Sequence, residues 1–319
     1  MSAPWLSVIV PTYNGADFLP AALESVCAQG DAALEVIAVD DGSTDATLAI
    51  LADYARRLPL TLLKRRVGNW AANTNLGLER SRGEWTCVLH QDDLWRPGRL
   101  AAIRRALAGG PAPALLLHAA DFIDPAGRTV GRWHCPLPPG PCGSMPAETA
   151  ARLLVQNFVS MPAALFRRAD ALGVGGLDPD LWFTADWDFW LKLAACGPTR
   201  YLPAPLAAFR LHPASQTVTR SGRLTAFRRQ YEAVRDKHWD RWRGRLADPR
   251  RVQAAGRLAV EVNVALAARH HGEPVDWRRL LAAAGGGPGT WAYFVRNSRV
   301  VERVLARLRA GLAGRRQSA

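Results

Sequence analysis

The sequence contains few cysteines, and no two of them form a CxxC pair. There are five, an odd number, so a disulfide framework and a zinc site are both poor expectations. The sequence also lacks any run of the roughly 18–20 apolar residues that cross a bilayer. Its first residues lack the basic segment and the cleavable apolar stretch of a secretory signal. We therefore expect buried, unreactive thiols in a cytoplasmic protein.

The composition is that of a globular protein. The chain has 319 residues, of which 49% are apolar and 22% charged, enough for one large or two ordinary domains with a hydrophobic core. The net charge of +13 is unevenly distributed. Residues 1–219 carry 19 Lys and Arg against 20 Asp and Glu, whereas residues 220–319 carry 22 against 8. The basic character therefore belongs to the last third of the chain.

Short apolar runs alternate with segments of helical periodicity over the first 120 residues. Five of these runs predict buried strands, at Leu6–Val10, Leu34–Val39, Leu60–Leu63, Trp85–Leu89 and Ala114–Leu117. The alternation predicts an α/β fold in which a mainly parallel sheet is flanked by helices. Dense Pro and Gly at 125–146 predict a long loop, and the chain from about Leu224 is predicted to be helical. We divide the chain into 1–118, 119–220 and a basic, helical C-terminal extension at 221–319.

Polar side chains cluster where the predicted strands end, at Thr12–Asn14, Asp40–Asp41 and Gln91–Asp93. In open α/β sheets, ligands bind beyond the carboxyl ends of the strands, so these clusters predict a ligand crevice. Two adjacent carboxylates at Asp40 and Asp41 repel each other and are costly unless they are solvated or occupied. One interpretation is a turn followed by a helix cap. The other is recognition of a nucleotide, because a carboxylate accepts the N–H of a pyrimidine base.

Asp92 and Asp93 supply hard oxygen ligands at a strand end. Such ligands suit Mg²⁺ or Mn²⁺ held jointly with substrate phosphates. The alternative is that they cap a helix that begins near Pro97. A histidine is a less natural ligand for Mg²⁺, so we expect His90 to pack in the strand or to form hydrogen bonds nearby.

Three further candidates lie later in the chain. Asp186 begins an aromatic-rich helical segment, where an acid either complements the helix dipole or acts as a general base. Arg210 suits a diphosphate, and His212 suits a hydrogen-bond donor or a metal ligand. Both lie in a segment that reads as a loop.

Taken together and in order, these segments resemble family 2 glycosyltransferases, which have the GT-A fold. The matching segments are residues 7–15, 39–45, 68–70 with 73 and 75, 83–85, 89–93, 185–193 and 210–212. They cover about residues 5–217, and the first two motifs at this spacing are highly specific.

The resemblance implies a role for each matching position. It implies that residues 1–118 of this chain form the half that binds the nucleotide-sugar, and that residues 119–220 form the half that binds the acceptor. The implied donor-binding residues are Pro11, Thr12, Tyr13, Asn14, Asp41, Asn73, Asp93 and Arg210. Asp92 would bind the metal together with His212, and Asp186 would be the catalytic base.

Two positions depart from the family pattern. His90 stands where the family's DxD motif has its first acid, which gives an HQDD variant and leaves Asp92 as the chief metal ligand. Ala185 stands where many relatives carry Glu. The resemblance therefore places the base on Asp186, with Asp188 as the alternative.

The implied activity is an inverting transfer of a sugar from a nucleotide-diphosphate donor to an acceptor hydroxyl, with Mg²⁺ or Mn²⁺ as cofactor. A UDP-sugar is the expected donor, and a saccharide or lipid-linked molecule of surface polysaccharide or glycoconjugate synthesis is the expected acceptor. One rival is a nucleotidyltransferase, which usually has a basic, Gly-rich loop that Pro11–Gly15 does not match. The other is a non-catalytic relative that binds membranes or nucleic acid. Retention of Asp41, Asp92, Asp93 and Asp186 favours the transferase, and nucleic acid is not an expected partner.

The C-terminal extension combines apolar positions at helical spacing with many arginines, most densely in Trp291–Ala313. One interpretation is an interfacial helix on an anionic membrane surface, which would place the protein on the inner face of a membrane. The other is a solvated helix that packs on the core.

Overall fold

The structure is a computed structural model that describes residues 3–213, 215 and 221–315, with side chains up to residue 311. All five predicted strands are present in its first 123 residues. The strands there are β1 (Leu6–Thr12), β2 (Leu34–Asp40), β3 (Leu60–Lys64), β4 (Trp85–Val88), β5 (Leu94–Trp95) and β6 (Leu115–Ile123). The helices between them are α1 (Leu19–Cys27), α2 (Thr47–Tyr54), α3 (Trp70–Arg80) and α4 (Arg99–Ala108).

The second half contributes three more strands and the remaining helices. The strands are β7 (Thr129–Trp133), β8 (Ala164–Arg167) and β9 (Thr199–Arg210). The helices are α5 (Pro146–Leu153), α6 (Arg168–Gly173), α7 (Ala185–Leu193), α8 (Leu224–Trp242), α9 (Pro249–His271), α10 (Trp277–Ala284), α11 (Gly287–Ser298) and α12 (Val300–Arg315), with 3₁₀ turns at Met161–Ala163 and Arg243–Arg245.

The strands form one curled sheet in the order β3-β2-β1-β4-β8-β6-β9-β5, with β7 paired to β6. The predicted α/β class is confirmed, and β3, β2, β1 and β4 are parallel. Beyond β4 the sheet is mixed, because β8 runs antiparallel to both β4 and β6, whereas β9 runs parallel to β6. The prediction of a mainly parallel sheet thus describes the first half of the chain.

Two sequence expectations are corrected in the second half. The Pro- and Gly-rich segment at 125–146 is not one long loop, since β7 lies within it and pairs with β6. Arg210 is the last residue of the twelve-residue strand β9 and does not lie in a loop. The sequence hides β9 because Pro203 and Pro205 interrupt its pattern. The register against β6 shifts at this point, which is where a sheet tolerates proline.

The two faces of the sheet carry separate cores, as period-two alternation dictates. Leu6, Val8 and Val10 of β1 pack with α1, α2 and α4 on one face, and Ile9 packs with α3 on the other. The second contact is close, because a β-carbon at Gly77 of α3 would lie 2.5 Å from Cγ2 of Ile9. Helix α3 therefore lies directly against β1.

The basic C-terminal extension is helical, as predicted. Its first helix, α8, contributes Phe227, Tyr231, Val234 and Trp242 to the same core as the sheet. No helix within the described ranges is long and apolar enough to cross a membrane.

The five cysteines are free. Cys87 and Cys135 are buried, and burial raises the pKa of both thiols. Cys142 is exposed, so the expectation that all the thiols are buried is wrong at this position.

Candidate functional site

Adjacent acids at the end of β2 have different partners. The Asp40 carboxylate accepts hydrogen bonds from the backbone N–H groups of Gly42 and Ser43, at 3.1 and 3.0 Å, and from the Ser43 hydroxyl at 2.5 Å. It therefore completes the turn. Asp41 instead accepts from the N–H groups of Val67 and Gly68, at 2.6 and 3.1 Å through one oxygen. The turn interpretation fits Asp40, and Asp41 faces the loop that follows β3.

The segment after β1 is held by side chains from two neighbouring strand ends. Thr12 donates its hydroxyl to Asp40 at 3.3 Å. The Gln91 side chain bonds both the N–H and the carbonyl of Tyr13, at 2.9 and 3.0 Å. Asn14 has a φ of 45° and accepts from the Thr44 N–H at 2.8 Å. The Tyr13 ring, 57% exposed, is left at the mouth of the crevice.

Gly15 is required by the same arrangement. A β-carbon there would lie 2.4 Å from Oε1 of Gln91, which is the oxygen that accepts from Tyr13. Gln91, the second residue of the HQDD motif, therefore connects the end of β1 to the end of β4.

His90, Asp92 and Asp93 converge just beyond β4. One ligand atom from each lies within 4.8 Å of the other two. Oδ1 of Asp93 accepts from the Arg210 N–H at 3.0 Å. Oδ2 of Asp93 and Nε2 of His90 are both buried and have no hydrogen-bond partner within the described part of the chain. Two buried polar atoms without partners are costly, so the cluster is built for a further group.

The end of β9 completes this cluster. Nε2 of His212 lies 2.8 Å from Oδ2 of Asp92. The buried Arg210 guanidinium donates to the carbonyls of Asp92, Asp124 and Pro125, at 2.8, 3.1 and 2.9 Å, and lies over the Phe18 ring. Arg210 thus fixes the backbone that carries Asp92.

The acids of this cluster have opposite pKa shifts. Burial and the nearby charge of Asp92 raise the pKa of Asp93 well above its usual value. Burial acts in the same direction on Asp92, but the His212 hydrogen bond and the nearby His90 outweigh it and lower the pKa. Burial lowers the pKa of His90 and keeps its imidazole neutral. A neutral imidazole beside carboxylates is a donor set that a divalent cation fits.

Asp186 lies in the first turn of α7 and is half-buried. Its two oxygens accept from the Trp187 N–H and from the Asn157 side-chain amide, both at 2.8 Å. Burial raises the pKa of Asp186 to about 6, although both hydrogen bonds oppose the shift. This pKa suits a group that exchanges protons near neutral pH.

Asp188, the alternative base, is occupied. It is fully buried, forms ion pairs with Lys192 and Lys237 at 2.9 and 3.0 Å, and lies within hydrogen-bond distance of Nε2 of His238 at 2.8 Å. Its hydrogen bonds and ion pairs outweigh burial and lower its pKa. Asp188 therefore joins α7 to α8.

Helix α3 brings the segment before α7 to the cluster. The Trp70 indole N–H donates to the Trp182 carbonyl at 3.0 Å, and the Trp70 ring meets His90 edge-on with centroids 5.5 Å apart. The Asn75 side chain bonds both the N–H and the carbonyl of Leu177 at 2.8 Å. Asn73 is buried, and its Oδ1 has no hydrogen-bond partner among the described residues.

The structure adds residues that the sequence did not assign to the site. Sequence reasoning expected His90 to pack in the strand or to form hydrogen bonds nearby, and the structure brings one of its ring nitrogens within 4.8 Å of carboxylate oxygens of Asp92 and Asp93. The HQDD pattern was the available signal. Trp70 lies in one of the segments that match the family, but no role was assigned to it. Nothing in the sequence pointed to Asn157 or Phe18, which act through contacts with distant segments.

The fold and the site together define a GT-A-type enzyme with a polar crevice beyond the ends of its parallel strands. The model of glycosyl transferase family 2 matches residues 7–169. The chain belongs to this family of glycosyltransferases, which argues against the nucleotidyltransferase considered as a rival.

The relatives and solved structures agree with this assignment. The chain is 32% identical over 227 residues to the succinoglycan biosynthesis protein ExoO of Rhizobium meliloti, a match that covers 69% of this chain and 64% of that protein. It therefore spans less than two thirds of that relative.

Two solved structures share the fold. S. aureus TarS 1-349 in complex with UDP-GlcNAc superposes with a TM-score of 0.60 at 19% identity, covering 93% of this chain and 90% of the other. The mannosyltransferase PcManGT from Pyrobaculum calidifontis, in complex with GDP-Man and Mn²⁺, gives 0.59 at 21% identity, covering 98% and 87%.

Proposed function

We propose that this protein transfers a sugar, with inversion, from a nucleotide-diphosphate donor to an acceptor hydroxyl in surface polysaccharide or glycoconjugate synthesis. The observation that carries the proposal is the pair of buried, unpartnered atoms, Nε2 of His90 and Oδ2 of Asp93, beside the carboxylate of Asp92. A divalent cation bound to a diphosphate would satisfy both atoms. The polysaccharide context rests on the name of the relative from Rhizobium meliloti.

The donor would lie across the ends of β1, β2 and β4. In this proposal Asp41 receives an N–H of the base, and the exposed Tyr13 ring covers it together with the backbone of Pro11 and Thr12. Asn14 holds the turn, and the buried Asn73 offers its free oxygen from α3. A UDP-sugar is our first candidate, because TarS, which shares the fold, is complexed with UDP-GlcNAc. A GDP-sugar is the second, because PcManGT is complexed with GDP-Man.

Asp92, His212, His90 and Asp93 are the residues that would hold Mn²⁺ or Mg²⁺. We favour Mn²⁺, because imidazole nitrogen among the ligands suits it better than Mg²⁺. When bound, the ion neutralises charge that develops on the leaving diphosphate. Arg210 keeps the loop in place and adds a positive charge beside it.

Asp186 would act as the base. With a pKa of about 6 it is mostly ionised at neutral pH, so it can accept the proton of the acceptor hydroxyl. That hydroxyl attacks the anomeric carbon from the face opposite the diphosphate, and the configuration inverts. The Asn157 amide orients the carboxylate through its 2.8 Å hydrogen bond.

The test is thermal-shift titration with UDP and GDP, each with and without Mn²⁺, followed by a screen of nucleotide-sugars for hydrolysis. We expect a shift with one nucleotide that is larger when Mn²⁺ is present, and a smaller shift for Asp41→Asn. Asp31→Asn, which removes a distant partner of Arg104, is the matched control. No shift with any nucleotide would overturn the proposal.

We also propose that the C-terminal helices attach the protein to an anionic membrane surface. Apolar side chains are exposed at helical spacing on α12, at Val301, Leu305 and Leu308, among many arginines. Trp277 and Leu281 are exposed on α10 in the same way.

Truncation is a poor test of this proposal, because α12 packs against β7. We would compare the wild type with Leu305→Ser/Leu308→Ser in pelleting with anionic and neutral vesicles. We expect the wild type to pellet with anionic vesicles and the variant to stay in the supernatant. Equal recovery of both in the supernatant would count against attachment.

A further inference from the structure

Helix α12 returns to the sheet and packs on β7. The Glu302 carboxylate accepts from the His134 N–H at 3.3 Å, and Arg309 donates to the Val130 carbonyl at 3.3 Å. A β-carbon at Gly131 would lie 3.0 Å from Cβ of Ala306, so the helix and the strand are in close contact. These contacts fix the face of α12 that points inward.

That inward face carries Arg303, which leads by a short polar chain to the proposed base. The Arg303 guanidinium approaches Oδ1 of Asn263 at 3.4 Å, and the Asn263 amide donates to Gln156 at 2.6 Å. The next residue, Asn157, donates to Asp186 at 2.8 Å. Two hydrogen bonds and the peptide bond between Gln156 and Asn157 therefore connect Arg303 to Asn157, the residue that binds Asp186.

A buried tyrosine on α8 also connects this face of α12 to the proposed base. Tyr231 is buried on α8, and its ring lies 5.6 Å from that of Trp187, the neighbour of Asp186. The charges of Arg303, Arg307 and Asp186 all act on the Tyr231 hydroxyl. Arg307 lies one helical turn after Arg303 and shares its face of α12. Both arginines therefore act electrostatically on a tyrosine that packs against the neighbour of the proposed base.

Arg303 is a buried cation without an anion. It is 9% exposed, its Nε has no hydrogen-bond partner, and no carboxylate of the described residues lies within ion-pair distance of it or of Arg307. Burial lowers the pKa of Arg303 to about 10, so it stays charged at neutral pH. An unpaired buried charge is unfavourable, and proteins normally satisfy it with an anion.

Two other buried arginines also lack a carboxylate partner among the described residues. Arg99 donates to the Pro162 carbonyl at 3.3 Å and lies over the Trp95 ring, and Arg235 donates to the Gln253 carbonyl at 3.2 Å. As in Arg303, one guanidinium nitrogen of each has no hydrogen-bond partner there. Arg303 differs from them in its position, because Arg307 lies one turn after it on α12 and its partner Asn263 leads towards the proposed base.

We propose that Arg303 and Arg307 form the anion-binding part of the acceptor site, and that the acceptor is a phosphorylated molecule whose phosphate they bind close to the hydroxyl that Asp186 deprotonates. Phosphate is the chemistry that fits, because the guanidinium fork binds two of its oxygens at once. This inference rests on the proposed function. It makes α12 a part of the active site, supplied by the basic C-terminal extension.

The test is titration calorimetry with inorganic phosphate at constant ionic strength, on the full chain saturated with UDP and Mg²⁺ so that the donor phosphate site is filled. We compare the wild type with Arg303→Gln/Arg307→Gln. The matched control is Arg269→Gln/Arg278→Gln, which removes the same charge from exposed positions of α9 and α10. We expect phosphate affinity to fall roughly tenfold in the first variant and to be unchanged in the control.

Several outcomes would overturn the inference. These are equal phosphate affinity in all three proteins, no phosphate binding by the wild type, or acetate binding as tightly as phosphate. If the double variant does not fold, Arg307→Gln is tested alone, because Arg307 is at a more exposed position. It should also lower the affinity for phosphate. If UDP fails to bind the wild type, the proposed donor function fails, while the phosphate comparison without UDP still tests the arginine pair.

Discussion

Nε2 of His212 lies 2.8 Å from Oδ2 of Asp92, although 120 residues separate them in the chain. The contact joins the end of β9 to the end of β4 and orients the acid that the sequence singled out as the chief metal ligand. The Phe18 ring packs against the imidazole with centroids 5.1 Å apart and limits its movement.

Replacing His212 should weaken the metal dependence of nucleotide binding. We expect His212→Ala to lower the affinity for UDP about 10–100-fold in the presence of Mn²⁺, because a lost ligand or orienting partner typically has this effect. The affinity without metal should change little. Calorimetry with and without Mn²⁺ measures both. His134→Ala, which removes a side-chain contact with Glu302, is the control, and an equal effect of both variants would contradict the assignment.

Replacing the proposed base should lower the rate of sugar transfer and leave nucleotide affinity nearly unchanged. Asp186→Asn keeps the shape of the side chain, and we expect it to lower the transfer rate about 100–10,000-fold, the usual contribution of a general base. UDP affinity should remain within twofold of the wild type, on the order of 0.4 kcal/mol. Turnover at the wild-type rate would show that the base lies elsewhere.

The pH dependence of the reaction should follow Asp186. The carboxylate must be ionised to accept a proton, so kcat/KM should fall about tenfold per pH unit below the pKa of about 6. The Asn157 hydrogen bond favours the ionised form, and Asn157→Ala should therefore raise the pKa and shift the loss of activity to higher pH. A pH profile of both proteins measures this. An unchanged midpoint in the variant would contradict the role of Asn157.

Removing the buried carboxylate of Asp188 should destabilise the fold. Asp188→Asn leaves Lys192 and His238 beside α7 without their partner, which we expect to lower the free energy of unfolding by about 3–5 kcal/mol. Asp240→Asn breaks an exposed pair with Arg243 and should cost less than about 1 kcal/mol. Urea unfolding measures both.

Acid should weaken the wild type through the same group. The pKa of Asp188 is lowered in the folded state, so its stabilisation is present above the usual aspartate pKa of 3.8 and is lost as the pH falls below it. The Asp188→Asn variant should lose less stability over this range. Equal acid sensitivity of the two proteins would show that other groups dominate.

The sequence predicted the first half of the fold well. The apolar runs of β1 and β2 are buried throughout, as expected for strands covered on both faces. The second half was harder to predict, because β7 lies within a Pro- and Gly-rich segment and β9 contains two prolines at a register shift. The residues of β7 favour a strand, but the Pro and Gly residues around it hide the signal. In β9 the pairing with β6 stabilises a segment whose two prolines disfavour a strand.

The local pattern left the roles of single residues open. Asp40 and Asp41 look equivalent in sequence, yet only the first completes the turn, because it alone accepts from the N–H groups of Gly42 and Ser43. The sequence left His90 between strand packing and nearby hydrogen bonds, because its unpartnered nitrogen can be recognised only when Asp92 and Asp93 are placed beside it.

The sequence by itself determined the family, the α/β class and the strand ends at which polar residues gather, because these depend on periodicity and on short motifs. The tertiary structure decided which distant groups meet there. Long-range contacts place His212 against Asp92, 120 residues away, and join Asn263 of the basic extension to Gln156, 107 residues away. Burial raises the pKa of Asp186 to about 6. These features depend on burial and on contacts between segments far apart in the chain, which no local pattern encodes.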